Sequence, residues 1–99
     1  MAFSLELPDP LGSEGWKVKI RDKERLEPPH VTILHKRRIW RLGLRSHEFL
    51  VPPGGKWKEI DARVRDVIEA AANWRRLCDE WDLAYPTNPV VLAEDDGDA

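Results

Sequence analysis

The feature that most constrains this chain is the change of hydrophobic period at Pro52-Pro53-Gly54-Gly55. Before this break apolar residues alternate with polar ones; after it they recur every three or four positions. Alternation sorts side chains onto the two faces of a strand, whereas the longer spacing gathers them along one side of a helix. Trp16, Val18 and Ile20 fall on one face, with Lys17, Lys19 and Arg21 on the other. Val31 and Ile33 alternate with His30, Thr32 and Leu34, and Trp40, Leu42 and Leu44 alternate with Ile39, Arg41, Gly43 and Arg45. Lys36-Arg37 is the expected hairpin tip between these two strands, and residues 48–51 read as a short further strand.

Beyond the break, Ile60, Val64, Val67, Ile68, Ala71, Trp74, Cys78 and Trp81 form one amphipathic stripe. Gly55 is a candidate cap, the run Ala70-Ala71-Ala72 favours helix, and Pro86 enforces a stop. The 26 residues from 60 to 85 are long for one helix, with room for a bend near Asn73. The expected class is therefore α+β, with a small three- or four-stranded antiparallel sheet packed by one C-terminal amphipathic helix. Residues 1–15, punctuated by Pro8, Pro10, Gly12 and Gly15, read as an irregular arm. Residues 16–85 form the single domain, and residues 86–99, acidic at the end, read as a disordered tail.

Ninety-nine residues suit one domain, and five tryptophans add apolar area to a small core. The lone cysteine, Cys78, excludes an internal disulfide and fits a reducing compartment. No apolar run reaches the ~18 residues of a membrane span, and the N-terminus lacks the order of a signal peptide. A cytoplasmic protein without membrane contact is expected.

The formal net charge of −2 conceals two opposed segments. Residues 16–47 carry ten Lys/Arg and three Asp/Glu, a local +7, while residues 79–99 carry seven acidic residues and no basic ones. Such separation bears on partners rather than on fold.

Pro28-Pro29-His30-Val31-Thr32-Ile33 resembles the Pro-Pro-His-Val-His-Val signature of a family of small bacterial proteins, domain of unknown function number 4160. Arg38-Ile39-Trp40-Arg41-Leu42 looks like that family's next strand, and Asn73, Leu77 and Trp81 match its closing helix, so the likeness spans about residues 16–83. The second histidine of the signature is Thr32 here, so only His30 carries over. The resemblance implies one component of a small gene pair of toxin–antitoxin type, with a protein from the neighbouring gene or an RNA as partner.

Four chemistries are open to these residues. Zinc needs ligands converging on one point, but His30 and His35 are five apart on one strand and project oppositely, and Cys78 lies on the helix stripe. No metal or cofactor is expected. Acid–base cleavage of RNA would use His30 and His47, with cations on phosphate; the alternative is a His30 that braces the Pro-Pro turn and a His47 that merely sits on the surface. Anion or nucleic-acid binding would use Lys17, Lys19, Arg21, Arg41 and Arg45. The tryptophans align with the apolar face, which disfavours base stacking. A protein partner could pair by charge or by an open sheet edge, a second copy of the chain included. Trp57 is either a contact residue or a staple for the loop. The leading expectation is a non-enzymatic binding module working through the basic sheet face and His30. A metal-independent ribonuclease and a plain scaffold are the alternatives.

Overall fold

The computed structural model describes residues 3–21 and 27–91. Four strands, β1 (Phe3–Leu5), β2 (Trp16–Ile20), β3 (His30–His35) and β4 (Arg38–Gly43), form one antiparallel sheet in the order β1-β2-β3-β4. A single 3-10 turn, Trp57–Glu59, leads into helices α1 (Ala62–Glu69) and α2 (Ala71–Ala84). The chain is thus an α+β fold. Strands β2, β3 and β4 follow the alternation of the sequence, with Val18, Ile33 and Trp40 side by side in register on the core face. Ile20, Val31 and Leu42 share their burial, and Val64, Ile68, Leu77 and Trp81 close the core from the helices. Each such aliphatic side chain, fully removed from water, contributes about 1.5–3 kcal/mol before entropy is counted.

Five expectations need correction. The N-terminal arm is not irregular throughout: Phe3, Ser4 and Leu5 pair with Ile20, Lys19 and Val18, and Leu11 is buried in the core. The fourth strand is therefore N-terminal. Residues 48–51 supply only one bridge, Leu42 to Phe49, before the chain turns at 51–53. Segment 88–90 is packed rather than free, because Val90 N–H bonds Asp82 Oδ1 at 2.9 Å and the Trp81 indole donates to Asn88 O at 2.7 Å. The acidic run 94–98 lies outside the described residues.

The helical segment breaks at Ala70, three residues before the expected bend. Ala70 is extended (φ −57°, ψ 130°) despite the helical preference of its type, so local propensity is not the cause. The cause is phase. At about 100° per residue, Ile68 and Leu77 would point about 180° apart on a continuous helix. Both are fully buried, and only a break lets both face the sheet. Asn73 spans the break, its Nδ2 donating to Val67 O at 2.8 Å, one of the carbonyls that the end of α1 leaves without a helical partner. The cap of α1 is Asp61, whose Oδ1 accepts the Arg63 N–H at 2.8 Å, and not Gly55.

Gly55 has a different task. It lies against the Trp40 ring at φ +154°, where a Cβ would come within 2.4 Å of Trp40 Cδ1. Gly55→Ala is expected to lower unfolding free energy by about 1–3 kcal/mol. Gly12→Ala, with nothing within 4 Å of the new carbon, should stay within about 0.5 kcal/mol of the parent. Urea denaturation of the two variants checks both values.

Candidate functional site

Strand register arranges the outer face of the sheet in rows. Ser4, Lys19, Thr32 and Arg41 form one row, and Lys17, Leu34 and Ile39 form the next. Lys17 and Arg21 are exposed and Lys19 is half-buried. Among the described residues, none of these three side chains takes part in an ion pair or hydrogen bond. Leu34 and Ile39, on the same face, are half-buried aliphatics.

The other two expected anion-binding cations are committed elsewhere. Arg41, with a side chain only 20% exposed, bonds the Glu27 carboxylate and the Pro52 carbonyl. It thereby lays the 27–29 and 51–53 segments beside the His30 end of β3. Arg45 donates to Val90 O at 2.9 Å, Pro89 O at 2.6 Å and Asn88 Oδ1 at 3.3 Å, pinning the C-terminal segment.

Each of the three histidines is held against a different tryptophan. His30, fully buried, leans on Trp81 with ring centroids 5.3 Å apart. Its Nδ1 lies 2.8 Å from Pro28 O; a carbonyl can only accept, so Nδ1 carries the proton. His30 is thus the brace of the Pro-Pro turn. His35 stacks on Trp16 at 3.9 Å and 7°, with Nε2 3.2 Å from Glu14 O. His47 adopts a left-handed conformation (φ 62°) and stacks on Trp74 at 4.4 Å and 17°. Trp74 and Trp81 are seven residues apart on α2, about 10.5 Å along its axis. His30 and His47 are therefore anchored two helical turns apart, not around one reacting atom. Among the described residues, no three His, Cys, Asp or Glu side chains are gathered as metal ligands would be.

Thr32, where the resembling signature has its second histidine, is fully buried, and its hydroxyl has no partner among the described residues. Trp57 is a staple, set edge-on against Phe49 at 5.1 Å with the Arg65 guanidinium 4.7 Å above its ring.

Charge elsewhere is spent on loops and caps. The Asp61 carboxyl is held down to about 2, first by the Arg63 side chain and then by the Arg63 N–H. Arg63 is raised in return and also reaches Glu14 Oε1 at 3.0 Å. Glu59 is lowered by the Lys56 N–H and by the Trp40 indole N–H. Burial, then Asp82 and Asp79, pushes the Cys78 thiol up, which makes it a poor nucleophile.

One feature escaped the sequence. A cleft of about 620 Å³ is lined by His47, Glu69, Ala71, Trp74, Arg75 and Cys78. Trp74 and Cys78 sat on the apolar stripe and read as core, yet both are only half-buried because the break at Ala70 turns α2 about its axis.

No family model, curated protein or solved structure matches this chain. Among the described residues, no helix is long and apolar enough to cross a membrane.

His30→Ala opens space beside Trp81 and strands the Pro28 carbonyl, so it is expected to cost about 2–4 kcal/mol of stability. Loss of function in that variant would then track unfolding, as parallel denaturation and binding measurements would reveal. Asp61, depressed in the folded state, stabilises above its ordinary value of 3.8, and that contribution disappears as pH falls to about 2. Melting curves of the parent and Asp61→Asn should accordingly differ most near neutral pH and converge through that acidic window.

Proposed function

We propose that this protein is a non-enzymatic binding module whose outer β2 face engages an acidic protein partner. The observation that carries the reading is the group Lys17, Lys19 and Arg21, which has no anionic partner among the described residues while Arg38, Arg41, Arg63, Arg65 and Arg76 all have one. Cations held on a rigid strand beside Leu34 and Ile39 suit a carboxylate-bearing protein surface with an apolar centre. The accessible positions of the same face carry no aromatic side chain, which base stacking would require, and the His30 imidazole on this side is fully buried.

The resemblance of the Pro28-Pro29-His30 segment supplies a setting. The partner is the product of a neighbouring bacterial gene, met in a reducing cytoplasm. In this reading His30 shapes the fold beneath the binding face and does not touch the partner. A ribonuclease would need His30 and His47 on one phosphate, and their anchoring on Trp81 and Trp74 argues against it.

Co-expression with the neighbouring gene's product tests the proposal. A complex should co-purify and weaken as salt rises, since exposed charge pairs are screened beyond ~10 Å at 0.1 M. Lys17→Glu combined with Lys19→Glu should weaken it at least about tenfold, or ~1.4 kcal/mol. Absence of a complex, or one indifferent to the double reversal and to salt, contradicts the proposal.

A further inference from the structure

The cleft beside α2 has no part in the binding face just described. Its floor is one side of the helix, with Ala71, Trp74, Arg75 and Cys78 at the i, i+3, i+4, i+7 spacing that places residues together. Its walls are Glu69, at the end of α1, and His47, carried by the turn that follows β4. At about 620 Å³ it falls within the ~300–1,000 Å³ usual for small-molecule sites.

Two properties of the lining define what would fit. The first is a preformed π-stack. One face of the His47 imidazole lies against Trp74 at 4.4 Å, while His47 itself is exposed, so its other face can accept a third ring. His47 is one of only two non-glycine residues with positive φ among the described residues. The turn hydrogen bond from its N–H to Gly43 O at 3.0 Å and the Trp74 stack together hold it there. The second is charge. Arg75 is exposed and makes no ion pair or hydrogen bond among the described residues. The acid of the cleft, Glu69, is already committed to Arg65 at 3.0 Å. The remaining unmatched charge is a guanidinium, whose planar fork suits carboxylate and phosphate oxygens.

We propose that this cleft binds a planar aromatic anion, its ring stacked on His47 and its carboxylate or phosphate held by Arg75. Ala71 and Cys78 bury the ring edge, and the raised thiol stays protonated and unreactive toward it. Both a nucleotide and an aromatic carboxylic acid have this chemistry, and the probes must separate them.

The experiment titrates isotope-labelled full-length protein with adenosine 5′-monophosphate, with 2-aminobenzoate and with uncharged adenosine, followed by NMR. At least one anion should bind with a Kd at or below about 1 mM, shifting His47, Trp74 and Arg75. The tighter anion identifies phosphate or carboxylate as the natural group. Adenosine should bind at least about tenfold more weakly than the monophosphate if the latter is the ligand. Arg75→Gln and His47→Asn, the second chosen because asparagine tolerates left-handed backbone, should each weaken binding about tenfold with unchanged melting. Failure of both anions to bind overturns the proposal. So does binding that survives both substitutions, or a monophosphate no better than adenosine when 2-aminobenzoate does not bind.

Discussion

The fold depends on the environment of one side chain, Trp81. Its ring is fully buried and packs on Tyr85 at 4.2 Å and on His30 at 5.3 Å. Its indole N–H, which burial would otherwise leave without water, donates to Asn88 O. Asn88 passes the connection on, its Nδ2 donating to Glu27 O at 2.7 Å, while the Tyr85 hydroxyl reaches the Arg21 carbonyl. The last turn of α2, the C-terminal segment, the end of β2 and the start of β3 are thus tied through one indole. A histidine is suited to this junction because it offers a flat ring to the tryptophan and a donor to the Pro28 carbonyl at once.

That arrangement explains why the most conspicuous motif lies under the surface. Strand alternation correctly puts His30 on the side of Thr32 and Arg41, opposite Val31. It cannot report that Glu27, Arg41 and the Pro52 carbonyl meet there and help bury both His30 and Thr32. Those contacts join residues 11 and 14 positions apart along the chain. By the same logic Arg45 looked like a surface cation in sequence, and its actual partners are 43 to 45 residues away.

The central sheet was legible because three strands carry a period-2 pattern, with Lys17 and Lys19 opposite apolar residues in β2 and Arg41 opposite Trp40 and Leu42 in β4. β1 was not, since three residues followed by Pro8 and Pro10 give too short a pattern to separate from a loop. The helix break was legible in principle: the 9-residue spacing of Ile68 and Leu77 is out of phase for one helix. Alanine at position 70 masked it by favouring continuity. Of the candidate site, Lys17, Lys19 and Arg21 could be read from alternation alone. The cleft at His47 could not, because it is made by a turn, a helix break and a helix face that meet only in three dimensions.

Of the five cations that alternation places on the sheet face, Arg41 and Arg45 build the molecule, whereas Lys17, Lys19 and Arg21 present charge to solvent. The most direct measurement of that division is a two-dimensional amide NMR map of the full chain titrated with a short oligoglutamate. Shifts confined to Lys17, Lys19, Arg21 and their neighbours Leu34 and Ile39 are the predicted result. Shifts centred on Arg45 and segment 88–90, or spread evenly over all basic residues, would contradict it.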